Sequence, residues 1–239
     1  MKAFLFCTSY IADRGQHVPG RYMKYISFYQ SRLAALGAEH LFLVNDGRAH
    51  IDKIAGSMTA VISAETLPDQ HLMPGTYMIS FEKGLGRPSI DDHCGWWRSF
   101  VFSYTIARRY GFDKIIHVES DFFLLSERLL SFIRSISSGW HSLWSSSCKW
   151  PESGIQIICK DRFEELFVAS EQARSLGYNS YYPAEHTLPF SAVHRHFLGD
   201  RLDCLPSGTT TAGQEVFLNY DYIGNVPVND IVDGEQIKL

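Results

Sequence analysis

Cysteine is sparse in this chain and unpaired in pattern. Cys7, Cys94, Cys148, Cys159 and Cys204 are odd in number, widely spaced, and form no Cys-x-x-Cys pair. That speaks against a disulfide framework and weakens a zinc reading; a reducing cytoplasm fits best. A surplus of positive charge is also lacking. Lys and Arg total 22 against 26 Asp and Glu, net −4, which argues against nucleic acid as the main partner. No apolar run reaches the roughly 18 residues of a membrane span. The opening Met1 to Cys7 carries one positive charge and a short apolar run, too short for a signal peptide, and reads as a first strand. Internal repeats and linkers are absent, so a single domain is expected. Glycine is missing from Cys7 to Asp13, where a phosphate-binding loop would follow that strand. Gly84-Leu85-Gly86 lacks the third glycine and the strand–loop–helix setting of a dinucleotide fingerprint.

What is present suits one large soluble domain of 239 residues, 45% hydrophobic and 20% charged. Apolar residues at Tyr22, Tyr25, Ile26, Tyr29, Leu33 and Leu36 fall at helical steps, and Gly37 sits where a helix stops. Leu41 to Val44 reads as a strand with a turn at Asn45-Asp46-Gly47. A short helix over Ile51 to Met58 and a strand over Ala60 to Ser63 complete a β-α-β-α-β series, hence parallel pairing. Thr76 to Phe81 reads as a strand near an edge. Ser89 and Asp92 suggest a shortened capping box for a helix through Trp96, Trp97, Phe100 and Tyr104, closed at Gly111. Ser126 caps another helix through Ile133. Loops are expected around Trp140 and Trp144. Ser153 to Cys159 reads as a strand, and Asp161 with Glu164 as a capping box for a helix stopped at Gly177. Residues 178 to 215 read as mostly irregular, and Val216 to Tyr220 as a late strand.

The chemistry concentrates in Lys114 to Leu125. A β-branched apolar run ends in Glu119-Ser120-Asp121, and a second apolar run follows. The first run reads as a buried, central, parallel strand. Carboxylates at its carboxyl end occupy the usual ligand crevice of an open α/β sheet. Like charges this close repel unless a cation lies between them, and carboxylate oxygens suit Mg²⁺ or Mn²⁺. The competing reading is a pair of loop charges favouring the N-terminus of the next helix.

The order of these motifs resembles the GT-A glycosyltransferases. Gly111-Phe-Asp-Lys-Ile-Ile-His-Val-Glu-Ser-Asp121 looks like their strand ending in a D-x-D motif, with Glu119 in place of the first aspartate. Glu152-Ser153-Gly154-Ile155 is similar to the strand that follows it in many members. The resemblance implies a mixed, mostly parallel Rossmann-like sheet flanked by helices. It divides one domain, 1–239, into a nucleotide-sugar half (1–125) and an acceptor half (126–239). It implies a metal-dependent, hexosyltransferase-like enzyme using a UDP- or GDP-sugar and Mn²⁺ or Mg²⁺. A saccharide or lipid-linked acceptor of bacterial surface polysaccharide synthesis is expected. The setting is the cytoplasm, at most with peripheral contact at the inner face of the membrane. A nucleotidyltransferase, or a non-catalytic nucleotide- or sugar-binding protein of the same fold, is the alternative.

The resemblance also distributes roles. Asp121 is the leading metal ligand and Glu119 its partner, with Glu119 binding the ion directly, through water, or binding ribose instead. Thr8, Ser9 and Tyr10 follow the first strand, where the nucleobase is held, and Tyr10 offers a stacking face. Asp46 is an acceptor for base or ribose, and Arg98 a donor to hydroxyl or phosphate. Glu185 is the candidate acceptor-deprotonating base of an inverting reaction, with Asp203 and Asp200 as rivals. Tyr181 and Tyr182 lie beside it as an acceptor platform. His194, two residues before His196, is a candidate third metal ligand, and Asp230 and Asp233 are fainter ones. Asp46 also fits a plain Asp-Gly turn, Arg98 a solvated helix charge, and Glu185 a surface loop acid.

Overall fold

The computed structural model describes residues 1–10, 18–48, 51–69, 71–89, 91–179, 183–202 and 219–226. Its elements begin with strand β1 (Ala3–Ser9), helices α1 (Val18–Gln30) and α2 (Leu33–Leu36), and strand β2 (Ala38–Asn45). Helix α3 (Asp52–Ala55), strands β3 (Ala60–Ser63) and β4 (Gly75–Ser80), and helix α4 (Cys94–Tyr110) follow. Then come strands β5 (Lys114–Val118) and β6 (Phe123–Leu124), helix α5 (Glu127–Ser135), and strands β7 (Trp140–Ser145) and β8 (Trp150–Cys159). Helices α6 (Phe163–Ser175) and α7 (Ala184–Thr187) precede strands β9 (Ala192–His194), β10 (Gly199–Arg201) and β11 (Tyr222–Gly224).

The main sheet has the order β3-β4-β2-β1-β5-β8-β7-β9. Strands β3, β4, β2, β1 and β5 are all parallel, and β8 is antiparallel to both β5 and β7. A small sheet, β10-β11-β6, adjoins it. This is the mostly parallel, helix-flanked α/β sheet expected. Strand β1 is buried along its whole length, as a strand covered on both faces must be. Its alternate residues feed two cores. Ala3, Leu5 and Cys7 pack with Tyr25, Tyr29, Leu36 and Ile133 of α1, α2 and α5. Phe4 and Phe6 pack with Phe100, Ile106, Phe163 and Leu166 of α4 and α6. Among the described residues no helix is long and apolar enough to cross a membrane.

Several local expectations are corrected. Trp140 to Ser145 is a strand, not loop: the Trp140 indole is fully buried and donates to Gln156 at 2.9 Å, so the serines only mark its ends. Helix α4 begins at Cys94 rather than at a Ser89 cap, because the Ser89 hydroxyl is engaged by Asp92 in the preceding turn. The Asp161–Glu164 capping box does not form. The Asp161 carboxylate accepts the Gly139 N–H instead, and a 3₁₀ turn over Lys160–Arg162 leads into α6. Strand β4 is next to the edge strand β3, near the edge as expected. The described part of the 178–215 stretch is mostly irregular, as expected, with the short elements α7, β9 and β10 within it. The late strand is Tyr222–Gly224, and residues 216–218 of the expected one lie outside the described residues. The stop at Gly111 is as read: φ is +66° and Phe112 N–H returns to Ala107 O.

Candidate active site

Strands β1, β2 and β5 are neighbours and run parallel, so their carboxyl ends share one rim. The residues leaving that rim, Ser9–Tyr10, Asp46 and Glu119–Asp121, line one wall of a cavity of about 810 Å³. Ser153, Gly154, Pro183, Ala184, Glu185 and Arg201 line it as well. Strand ends of an open α/β sheet leave such a crevice because the helices that cover the faces do not cover the ends.

The turn carrying the two carboxylates is held from α1. The Tyr25 hydroxyl donates to Val118 O at 2.8 Å and the Tyr29 hydroxyl to Phe122 O at 2.9 Å, while Leu124 N–H donates back to Tyr29 Oη. Both rings are fully buried, so these hydroxyls satisfy backbone groups that β5 leaves unpaired at its end. Helical spacing showed these tyrosines as core; nothing in the spacing showed their hydroxyls aimed at the motif.

Glu119 is tied into the protein. Its carboxylate accepts from the Thr8 hydroxyl at 2.9 Å, the Trp96 indole N–H at 2.5 Å and His117 Nε2 at 2.8 Å. Oε1 takes the indole and imidazole and shares Thr8 with Oε2, whose only partner among the described residues is that hydroxyl. Asp121 is different. Its carboxylate has Arg21 at 3.4 Å and is 23% exposed to the cavity. Burial, reinforced by the Glu119 charge and only partly offset by Arg21, pushes it up from the ordinary 3.8 to about 6.

Asp46 and Arg98 face each other. Asp46 also accepts Leu85 N–H and Gly86 N–H, the latter at 2.7 Å, and Arg98 further donates to Lys83 O and lies over the Phe81 ring. The pair fastens the 83–86 loop to the rim. Ser9 donates to Asn45, and the Tyr10 ring stands 53% exposed at the cavity wall.

Across the cavity, Glu185 on α7 accepts from the Ser153 hydroxyl at 2.6 Å and from Arg201 at 3.1 Å. Arg201 also grips Glu152, Nε at 2.8 Å and Nη2 at 2.5 Å, and Glu152 is wholly buried. Burial pushes the Glu152 carboxyl up, and Arg201 holds part of that shift back. Phe122 connects this side to Asp121. Its ring fills the space a side chain on Gly154 would need, within 2.7 Å of an added Cβ, and packs on Gly224 and under Arg201. Gly154 is therefore glycine because a ring occupies its Cβ position.

The remaining sequence candidates lie elsewhere. His194 is on β9 at the far edge of the sheet. It shares a 2.9 Å contact with His141 and packs edge-on against Phe132, and it is not among the cavity residues. Asp200 binds the Ser145 hydroxyl and Ser147 N–H. Asp203, Tyr181, Tyr182, Asp230 and Asp233 lie outside the described residues. Residues that sequence reading did not single out are Arg21, Trp96 as a Glu119 partner, Glu152 and Arg201. Glu152 enters only as the first residue of the Glu152–Ile155 resemblance, with no role attached; Arg201 has no signal.

The chain has the fold of a glycosyltransferase. It superposes on the crystal structure of a glycosyltransferase involved in the glycosylation of the major capsid of PBCV-1, with a TM-score of 0.50 and 10% sequence identity. The match covers 95% of this chain and 96% of that one. No protein-family model and no curated protein sequence matches the chain. The likeness is one of fold, and the chemistry rests on the cavity itself.

Those cavity residues fit a hard divalent cation. Among the described residues five carboxylates line the wall against three guanidinium groups, and burial above all, with the Glu119 charge, makes Asp121 resist ionisation. Glu119 Oε2 keeps acceptor capacity on the same turn. Among the described residues no cluster of three or more His, Cys, Asp or Glu is placed to enclose a metal. Ions of the Mg²⁺ type are commonly held by one or two carboxylates, with water and substrate phosphate completing the shell.

Proposed function

We propose that this protein is a glycosyltransferase that moves a sugar from a nucleoside-diphosphate sugar to a hydroxyl of a saccharide or lipid-linked acceptor. One observation carries the reading: a roomy, carboxylate-rich crevice at the carboxyl ends of β1, β2 and β5, in a chain with a glycosyltransferase fold. Asp121, with Glu119 beside it, holds Mn²⁺ or Mg²⁺ in this proposal. A bound ion supplies charge that offsets what develops on the departing diphosphate.

The protein's own groups do the rest. The Tyr10 ring gives a nucleobase a stacking face, with Thr8 and Ser9 at the base of the same rim. The Asp46–Arg98 pair holds the 83–86 loop as a wall of the donor pocket. Glu185 takes the proton of the acceptor hydroxyl as that oxygen attacks the anomeric carbon. The attack comes from the face opposite the leaving group, the inverting course.

Two measurements test the proposal. Melting temperature is read with UDP, GDP and the other nucleoside diphosphates, with and without Mn²⁺. Release of nucleoside diphosphate is followed from a panel of sugar nucleotides. A cation-dependent rise in melting temperature with one base, and turnover of its sugar nucleotides, are expected. No stabilisation by any base sinks the donor site. Stabilisation with no turnover identifies a binding protein of this fold instead.

A further inference from the structure

The group opposite the metal side of the cavity is not a lone acid. It is a trio in which one guanidinium serves two carboxylates, and the three side chains come from three elements: Glu152 from β8, Glu185 from α7 and Arg201 from β10. We infer that Arg201 and the buried Glu152 form a positioning pair that sets both the orientation and the charge of Glu185 for proton removal from the acceptor. The inference rests on the glycosyl-transfer reading and deepens it.

Glu152 is wholly buried and takes two of the guanidinium's hydrogen bonds, with Gly154 N–H as a further donor at 3.0 Å. A fork held this way cannot swing. Its remaining reach, Nη2 at 3.1 Å, fixes one Glu185 oxygen together with the Ser153 hydroxyl. Glu185 sits on a four-residue helix, too short to hold a side chain by itself, so these two donors are what orient it.

The charges follow the same logic. At rest the trio carries two negative charges and one positive. In the reaction the acceptor O–H proton passes to a Glu185 oxygen. The acceptor oxygen bonds to the anomeric carbon, and the anomeric C–O bond to the diphosphate breaks, its electron pair leaving on the diphosphate oxygen. The trio then holds a neutral Glu185 beside a balanced Arg201–Glu152 pair. Proton uptake relieves a surplus of buried negative charge rather than creating an unpaired buried ion. Without Glu152, Arg201 would belong to Glu185 alone and would oppose its protonation.

Among the described residues, Asp91 and Arg87 line the same cavity as Glu185, and His186 follows it in α7. His93, ahead of α4, feels the Glu185 charge, and burial lowers its proton affinity first of all, with Arg87 adding to the effect. Ser153 brings no charge; Arg201 lies over the Phe122 ring, and its charge also favours the ionised form of Asp121.

The test is the pH dependence of kcat for transfer in the full chain with Mn²⁺, compared for wild type, Glu152→Gln and Arg201→Lys. Glu152→Gln gives Glu185 the whole guanidinium, so the acid limb moves to lower pH. Arg201→Lys replaces the fork by a point charge that cannot serve both acids, so the limb moves to higher pH. It also lowers kcat about tenfold or more while donor KM stays within about twofold. A role confined to stability would lower the amount of active protein and leave both limbs in place. Wild-type transfer with limbs unmoved, or moved the same way in both variants, overturns the inference and leaves the transferase reading standing. If Arg201→Lys does not fold, the downward displacement in Glu152→Gln decides alone. Failure of the wild type to bind any nucleotide or turn over any donor overturns the reading and the inference together.

Discussion

Replacing Asp121 by Asn is expected to stabilise the protein while removing its activity. The carboxylate is driven from 3.8 to about 6 by burial first, then by Glu119, with Arg21 pulling the other way. The sign follows from proton linkage. A carboxyl with a raised folded-state pKa binds its proton more tightly folded than unfolded. Its effect on stability is therefore most favourable at acid pH and declines as pH rises between about 4 and 6. Roughly two pKa units correspond to about 3 kcal/mol at neutral pH. The side chain is 23% open to the cavity, and the variant gives up its contact with Arg21, so a net gain of about 1–2 kcal/mol is reasonable. For a chain of this size that is a melting-temperature rise of about 3–6 °C. The assay is thermal unfolding in chelator at roughly pH 4.5 and pH 7.5. Asn should match wild type at the lower pH and exceed it at the higher, and Mn²⁺ should raise wild type alone. Equal melting temperatures at both pH values would refute the idea that Asp121 is a strained, cation-seeking acid.

Three further outcomes are expected. Gly154→Ala places a methyl within 2.7 Å of the Phe122 ring; overpacking of this kind costs about 1–3 kcal/mol, seen in urea unfolding, and it should weaken cation binding through displacement of the adjacent Asp121 turn. Lys114→Met removes a buried ammonium that donates to the carbonyls of Ile133, Arg134 and Ile136, each at 3.0 Å. Those oxygens lose a shared donor at the end of α5, a loss of about 2–4 kcal/mol, and no change in the unfolding midpoint would contradict the role. Asp221 has the opposite pH sign from Asp121. Burial raises its carboxyl, but Arg128, Ser126 and the Leu198 N–H outweigh that and hold it below the ordinary value. Its stabilisation is present above the unfolded-state value and fades as pH falls through the folded one, so Asp221→Asn should flatten acid unfolding below about pH 4.

The parallel half of the fold was open to sequence reading because its strands are short β-branched or aromatic runs punctuated by glycine or an Asx turn. Lys114 to Val118 emerged as the buried central strand for that reason, with Gly111 closing the helix before it. The antiparallel part resisted. Trp140 to Ser145 mixes tryptophan, histidine and serine, and its polar members are buried only because β8 and β9 flank it. The caps at Ser89 and Asp161 misled for different reasons: Ser89 does meet Asp92, but in a turn ahead of the helix, whereas a tertiary contact with Gly139 N–H takes the Asp161 carboxylate. The cavity brought together Thr8, Ser9, Tyr10, Asp46, Glu119, Asp121 and Glu185, residues that follow strand ends or lie beside a proline. Pairings between distant segments have no local pattern. Arg201 with Glu152 and Trp96 with Glu119 become visible only once the chain is folded.

The single ring of Phe122 touches Gly154, Gly224 and the Arg201 guanidinium, and it is next in sequence to Asp121. It acts as a keystone between the wall that carries Asp121 and the wall that carries Glu185. Such a contact restricts how the protein can diversify. Loops beyond β8 are free to change length or composition, and with them the wall around Glu185, so long as two positions stay without side chains and one stays aromatic. A redesign that exchanged the Glu185 wall as a block would have to carry Gly154, Gly224 and Arg201 with it, or leave Asp121 on a turn that had lost its footing.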